Sequence, residues 1–204
     1  MASAGGSGGR PQRADARRNI AAILDAAVLC LAEDPDASLG DIAQAAGVGR
    51  VTLYGHFKSR ADLVDAVLTR TMAEADEILD RVDTTGDPSA ALTRLVEASW
   101  QIVHQFRAVH RAAGRELPAE RLHGSHDRVR RRIQSIVERG RRSGTFRGDL
   151  PAKWLTTTVV GLMHAAAEES AAGRLAAGDA PRLISATVLA ALTAPDESSG
   201  ASSG

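Results

Sequence analysis

Cysteine and lysine are both scarce in this chain of 204 residues. The single cysteine, Cys30, excludes an internal disulfide bond and fits a reducing cytoplasm. Because Cys30 falls on an apolar helical stripe, we expect a buried thiol rather than a redox sensor. Lys58 and Lys153 are the only lysines among 25 basic residues, a bias that we attribute to genomic base composition.

Long apolar runs and net charge are also absent. No segment approaches the ~18 apolar residues of a membrane span, and we expect no secretion signal because the N-terminus lacks an apolar core. The formal net charge is zero, so any attraction to nucleic acid must be local. Hydrophobic residues make up 44% of the chain, which is enough for a sizeable core.

Apolar residues recur with the period of an α-helix along most of the chain. Stripes with this spacing occupy the segments 20–31, 63–72, 92–106, 129–137, 155–162 and 183–192. Gly and Pro separate the stripes, and alternating β patterns do not exceed a few residues. The sequence therefore predicts an all-α protein of about nine helices. Both ends are rich in Gly, Ser and Ala, so we expect a disordered arm over 1–13 and a disordered tail over 195–204.

Two short helices joined by a tight turn are predicted near the N-terminus. Ser38 and Asp41 are spaced as a capping box, which begins a first helix from Leu39 to Ala46. Gly47 fits the left-handed residue that ends such a helix. A second helix runs from about Arg50 to Phe57 after one further turn. Together they describe a helix-turn-helix unit, and the preceding helix over 20–31 completes a three-helix head.

The second helix of this unit has an inner and an outer side. Leu53 and Phe57 lie four residues apart and face inward. Arg50 can bind guanine O6 and N7 with its fork of donors, Val51 can meet a thymine methyl group, and Gly55 permits close approach to the groove. Hydroxyl and amino groups suited to phosphate oxygens are carried by Ser38, Thr52, Tyr54 and Lys58. The predicted DNA-binding residues are Ser38, Gly49, Arg50, Val51, Thr52, Tyr54, Gly55, His56 and Lys58, and we expect Arg60 to follow on the same solvent side.

The residues of this unit resemble one family of regulators. The segment Thr52–Leu63, TLYGHFKSRADL, closely resembles the signature of the tetracycline-repressor (TetR) family. The preceding segment Ser38–Val48, SLGDIAQAAGV, resembles the usual lead-in of that family. The resemblance spans about Arg18 to Leu68, and beyond it only the helical plan is similar. It implies a helix-turn-helix DNA-binding domain, placed at 14–60, followed by a helical regulatory and dimerisation domain at 61–194.

The resemblance also implies a pocket for a small ligand in the later helices. Larger or adaptable side chains that can line it are Trp100, His104, Phe106, Trp154, Met163 and His164. An ordinary role in the core explains Trp100 and Phe106 equally well. The last two helices are rich in Gly and Ala, and the resemblance implies that they form a four-helix bundle with a second copy across a two-fold axis.

Two further clusters have a plainer interpretation than their composition suggests. His123 and His126 lie beside Gly124 without a cysteine or a clear third ligand, so we expect no metal site. The arginines within 128–142 could form a nucleic-acid patch. We favour a solvated face, because the apolar residues of that segment take the buried side of the same helix.

These inferences predict a dimeric, cytoplasmic transcriptional regulator without a cofactor. We expect a repressor that binds a palindromic DNA operator and is released by a small molecule. An enzyme built on a helical bundle would need a placed catalytic triad or an HExxH motif, and the sequence offers neither. A DNA-binding architectural protein that takes no ligand is the other alternative.

Overall fold

The structure, a computed structural model, describes residues 9–125 and 127–194. Over these residues the chain forms helices without β-strands, which confirms the all-α prediction. The nine helices of this part are α1 (Gly9–Glu33), α2 (Leu39–Ala45), α3 (Arg50–His56), α4 (Arg60–Asp80), α5 (Pro88–Glu116), α6 (Ala119–Ser125), α7 (Asp127–Arg142), α8 (Ala152–Ala171) and α9 (Ala180–Leu192).

Two helices differ from the sequence-based expectation. Helix α1 begins at Gly9, so residues 9–13, which we expected in the disordered arm, are helical. Pro11 lies in the first turn, where a missing backbone N–H is tolerated. Helix α6 was not predicted; it follows Pro118, whose carbonyl accepts from the Arg121 backbone N–H at 3.0 Å. Residues 1–8 of the arm predicted over 1–13, and the tail predicted over 195–204, lie outside the described residues.

Helices α1 to α4 as far as Met72, together with Phe106–His123, form one compact unit. Its core contains fully buried side chains from four helices: Ile23, Leu31, Ile42, Leu53, Leu63 and Leu68. Cys30 is half-buried against this core, and burial raises the pKa of its thiol, with Glu33 and Asp41 adding to the effect. A raised pKa keeps the thiol protonated, which agrees with a structural thiol.

The predicted domain boundary after Arg60 does not coincide with the end of this unit. Buried residues on α4 between Leu63 and Leu68 belong to the same cluster as α1, α2 and α3. So do Val109, Ala112 and Ala113 of α5. Periodicity identifies the buried face of a helix but does not identify the helix that covers it, so the share of α5 was not visible in the sequence.

Arg60 joins three parts of the first unit through its guanidinium group. Its Nε donates to the Ala37 carbonyl at 3.1 Å and its Nη2 donates to the Pro35 carbonyl at 2.5 Å. Its Nη1 pairs with the Glu116 carboxylate. The side chain is only 21% exposed. Our expectation that Arg60 follows the solvent side of α3 is therefore wrong, because these acceptors hold it inward.

The second unit comprises Ala73–Gln105 and the chain from Gly124 onward. Helix α7 packs on α8, and α8 packs on α9. The largest fully buried side chains in it are Leu92, Leu95, Ile133, Ile136, Leu155 and Leu192. Gly140 is required by this packing, because a Cβ atom there would lie 2.1 Å from Cδ2 of the buried Phe146 ring.

Arginines of α7 bind the end of α4 and the loop that follows it. Arg128 pairs with the carboxylates of Asp76 and Asp80, both at 3.0 Å. Arg132 pairs with Asp80 and donates to the Leu79 carbonyl. Arg139 donates from Nη2 to the Thr84 carbonyl at 2.6 Å. The expectation of a merely solvated face is wrong for these three, because acceptors at the end of α4 and in the loop after it bind them.

We predict that Arg60→Ala destabilises the protein markedly. The variant leaves two carbonyls and a half-buried carboxylate without their donor, and hydrogen bonds to charged groups contribute about 1.5–3 kcal/mol each. We expect a loss of about 2 kcal/mol or more in the free energy of unfolding. Urea denaturation followed by circular dichroism measures it.

Arg115→Ala is the matched control for this change. Arg115 pairs with Asp36 at 2.6 Å, but the two side chains are 51% and 74% exposed. Exposed pairs contribute about 0–1 kcal/mol, so this variant should resemble the wild type. Equal losses for the two arginines would contradict the structural role of Arg60.

Candidate nucleic-acid interface

Helices α2 and α3 form the predicted helix-turn-helix unit. Ser38 is the N-cap of α2: its Oγ accepts from the Asp41 backbone N–H at 3.2 Å, and its backbone N–H donates to Asp41 Oδ2 at 3.0 Å. This confirms the predicted capping box. Gly47 has a φ of 67°, the left-handed conformation predicted for the end of the helix. Gly49 then serves as the N-cap of α3.

Helix α3 presents opposite sides to the core and to solvent. Leu53 is 0% exposed and Phe57 is also buried, which confirms the predicted inner side. Val51 is 88% exposed and Tyr54 is 52% exposed. Of the remaining predicted DNA-binding residues, Thr52 and His56 are half-buried. Those that are exposed are Ser38, Gly49, Arg50, Gly55 and Lys58.

Among the residues that the structure describes, nothing requires glycine at residue 55. Its φ is not positive, and a Cβ atom built on it would meet nothing within 4 Å. Glycine inside a helix costs about 1 kcal/mol relative to alanine. The fold of the described residues does not offset this cost.

The Ser38 hydroxyl group is already engaged in the capping box. It donates to Asp41 Oδ2 at 2.6 Å and accepts from the Asp41 backbone N–H. These hydrogen bonds from Ser38 hold the pKa of the Asp41 carboxyl below its usual value, and the positive charge of Arg50 adds to the effect. A phosphate contact by the Ser38 hydroxyl would require its hydrogen to leave Asp41.

The Arg50 side chain does not extend away from the head. Its guanidinium group lies over Gly40, in the first turn of α2. A Cβ atom at Gly40 would be 2.9 Å from Nη2, 3.2 Å from Cζ and 3.3 Å from Nε of Arg50. Sequence reasoning placed Arg50 on the outer side correctly but did not foresee this return to α2.

A second capping box, which sequence reasoning missed, orients the start of α4. The Ser59 backbone N–H donates to Asp62 Oδ2 at 3.1 Å, and the Asp62 backbone N–H donates to Ser59 Oγ at 3.1 Å. The same S-x-x-D spacing that identified the start of α2 was available here. It fixes the chain immediately after α3 and Lys58.

The predicted ligand-binding residues do not share one environment. Phe106 belongs to the first unit, whereas the other five belong to the second. Trp100, Phe106 and Met163 are buried, and Trp100 Nε1 donates to the Ala177 carbonyl at 2.9 Å. His104 and His164 are exposed, and Trp154 is 60% exposed. Their role in ligand binding stays a prediction.

The second unit also carries an open concavity that contains none of these six residues. It has a volume of about 310 Å³ and is lined by Glu138, Arg141, Arg142 and Gly148. No group of three or more His, Cys, Asp or Glu side chains converges as a metal site within the described residues. His126 of the sequence pair lies outside them. No helix in the described part is long and apolar enough to cross a membrane.

Comparison with known proteins gives consistent similarities. A family model described as "Bacterial regulatory proteins, tetR family" matches residues 23–67, which include α2 and α3. The HTH-type transcriptional repressor LfrR of Mycolicibacterium smegmatis is 35% identical over 161 residues, or 76% of this chain and 81% of the repressor.

Solved structures extend the similarity to most of the chain. The crystal structure of the TetR-like transcriptional regulator LfrR from Mycobacterium smegmatis, in complex with proflavine, matches with a TM-score of 0.65 and 29% identity. That match covers 88% of this chain and 98% of the other. The TetR family regulator PfmR from Thermus thermophilus has a TM-score of 0.69 at 21% identity, over 82% and 97% of the two chains. The second likeness concerns the fold alone.

We predict that the contribution of Asp41 to stability depends on pH. Because folding lowers the pKa of its carboxyl below 3.8, the carboxylate stabilises the fold above that pH, and this contribution is lost as the pH falls through the lowered pKa. Asp41→Asn should therefore lower the melting temperature at pH 7, and its difference from the wild type should be smaller near pH 3. Thermal unfolding at the two pH values measures this.

Ser38→Ala supplies the companion measurement. Loss of the N-cap hydroxyl should cost about 1 kcal/mol of stability. It should also return the pKa of the Asp41 carboxyl toward 3.8, which a carbon-13 NMR titration reports. A gap between Asp41→Asn and wild type that is equal at both pH values would count against this account.

Proposed function

This chain belongs to the TetR family of bacterial regulatory proteins, and from that premise we propose that it represses transcription by binding a palindromic DNA operator as a dimer and releasing it when a small molecule binds. In this proposal α3 enters the major groove, and residues 14–60 form the part that contacts DNA. The second unit takes the ligand and the second copy. The site of action is the cytoplasm, where bacterial DNA is found.

The outer side of α3 is the observation that carries the proposal. Val51 and Tyr54 are held in solvent by a helix that Leu53 anchors to the core. Gly55 lies between Tyr54 and His56 in the chain, and the space that a Cβ atom would take there is open. One short helix therefore exposes the two methyl groups of Val51, the phenol of Tyr54 and the uncovered backbone of Gly55. This combination suits a surface that contacts duplex DNA.

The predicted DNA-binding residues divide by the chemistry they offer. We propose that Val51 meets a thymine methyl group and that Gly55 lets the helix approach the groove floor. Thr52, Tyr54 and Lys58 then bind phosphate oxygens and fix the register. Gly49 and His56 border this contact at the two ends of α3. Ser38 contributes to it only at the expense of its hydrogen bond to Asp41.

We propose that α8 and α9 form the dimer interface. Small residues stand exposed on both helices: Gly161, Ala165, Ala186 and Ala190. Trp154 and Leu183 are large apolar side chains exposed on the same two helices. A two-fold interface would cover these residues and present two α3 helices to half-sites about 34–36 Å apart, or a multiple of that spacing.

The ligand site is proposed within the second unit. The related regulator LfrR was crystallised in complex with proflavine, and by analogy we propose that a small molecule binds this chain too. Trp100 and Met163 are the buried candidates there. The hydroxyl oxygens of Ser99 and Ser185 are buried and have no hydrogen-bond partner among the described residues, and a bound molecule would give them one.

We propose that the ligand shifts the equilibrium between conformations of the dimer, and that no catalytic step is involved. The ligand favours a dimer whose heads no longer match adjacent half-sites. Helix α4 passes from the first unit to the second at Met72 and Ala73, and α5 crosses back at Gln105 and Phe106. We propose that α4 transmits the change.

Mobility-shift assays on a library of genomic fragments test the DNA-binding claim, and Gly55→Ala sharpens the assay. The variant should gain up to about 1 kcal/mol of stability from helix propensity. It should nevertheless lose roughly tenfold or more in operator affinity, because contacts at the groove are worth about 1–3 kcal/mol. Thermal unfolding and titration at fixed salt measure the two effects.

Gly114→Ala is the matched control for that variant. Gly114 is exposed in α5, and a Cβ atom there meets only Leu122 at an ordinary distance of 3.8 Å. We expect a similar gain in stability without loss of DNA affinity. Wild-type affinity in Gly55→Ala, or no selective and salt-sensitive binding by the wild type, would refute the proposed role of α3.

The dimer is tested by placing a charge on the proposed interface. Ala186→Glu should produce a monomer in light scattering and weaken operator binding, because burying an unpaired carboxylate between helices is costly. Ala73→Glu makes the same change on an exposed position of α4 and should leave the dimer intact. Dimers of unchanged stability in Ala186→Glu would exclude this interface.

A further inference from the structure

We propose that Gly40 determines DNA-binding specificity by acting through Arg50. Because Gly40 has no side chain, the Arg50 guanidinium packs on α2, where it binds the DNA backbone rather than a base. Gly40 is a positioning residue in this proposal, which rests on the proposed DNA-binding function. It departs from the sequence-based expectation that Arg50 reads a guanine.

The first step of the argument is the reason for glycine at residue 40. Its φ is not positive, so the backbone there accepts any residue. The three atoms nearest to an added Cβ all belong to the Arg50 guanidinium, with Nη2 at 2.9 Å. Glycine in the first turn of a seven-residue helix therefore serves to admit this side chain.

The second step concerns the charges around the guanidinium. Asp41 is exposed beside Gly40 and is ionised at neutral pH, because its pKa lies below the usual value. A carboxylate on the surface that receives DNA repels phosphates. The docked Arg50 sets a positive charge on the same surface as this carboxylate and adds to the lowering of the Asp41 pKa. The docked Arg50 thus reduces the electrostatic repulsion between the start of α2 and the DNA phosphates.

The third step concerns conformational freedom. A free arginine side chain carries about 2 kcal/mol of rotamer entropy. Docking on Gly40 removes part of that freedom before DNA binds, so the guanidinium is already ordered for the backbone contact. Reading a base would require the Arg50 guanidinium to leave Gly40. A side chain at residue 40 would displace the guanidinium and allow it to turn toward the bases.

A double-mutant cycle on DNA tests this inference. Arg50→Ala should weaken binding to the operator and to each single-base variant by the same factor. It should also lower the slope of log affinity against log salt by about 1, the loss of one phosphate contact. Gly40→Ala should acquire a preference of about tenfold at one base pair, and the double variant should lose that preference.

Gly40→Ala is expected to fold normally, because the colliding atoms lie at the far end of a flexible side chain. Thermal unfolding checks this. Arg50→Ala that relaxes the preference at one base pair would overturn the inference and restore the guanine contact. A Gly40→Ala effect that is the same with and without Arg50 would overturn it as well.

A second measurement needs no DNA. In the free wild-type protein, nuclear Overhauser contacts should join the Gly40 α-protons to the Arg50 δ-protons, and Arg50→Ala assigns those signals. Their absence would overturn the docking. A wild type that binds no DNA selectively would refute the proposed function and this inference together, whereas selective binding with additive variants would refute this inference alone.

Discussion

The burial of one leucine from a seven-residue helix is the constraint on which the DNA-facing surface depends. A helix as short as α3 is not stable by itself in water, because nucleation is unfavourable and few hydrogen bonds follow. Leu53, with Phe57 four residues later, ties α3 to the core that α1, α2, α4 and the second half of α5 share. Since the inner side supplies the stability, the outer side is free to carry residues that the fold does not favour, such as an exposed valine and an interior glycine.

The local features of the head could be predicted from the sequence because each depends on a few neighbouring residues. Ser38 with Asp41, Gly47, and the pair Leu53 and Phe57 all act within one or two helical turns. The directions of Arg50 and Arg60 could not be predicted in this way. Arg50 returns to a gap at residue 40, and Arg60 reaches carbonyls 23 and 25 residues earlier in the chain. Long side chains can bind acceptors that are distant in the sequence, and the helical period of apolar residues does not indicate which acceptor is bound.

The use of arginine in place of lysine has structural consequences that the composition alone did not show. Arg60 binds two carbonyl groups and a carboxylate at once, and Arg128 spans two aspartates. A guanidinium presents five donors in a planar fork, whereas an ammonium group acts as a compact point charge. Several arginines of this neutral chain are therefore committed to holding helices and loops within their own unit. We attribute the supply of arginine to genomic base composition, and these contacts explain its use.

Because these arginines bind groups within the protein, fewer positive charges remain to bind DNA. Between Ser38 and Lys58 the formal charges are those of Asp41, Arg50 and Lys58, so the unit carries little net attraction of its own. Non-specific affinity grows with the number of phosphates neutralised, and two cations beside one carboxylate neutralise few. In the proposed interface the balance then moves toward contacts that depend on shape, namely the methyl groups of Val51 and the bare backbone at Gly55. Under this proposal the head gains selectivity through a close fit to the groove, and the position of the Arg50 guanidinium over Gly40 affects that fit.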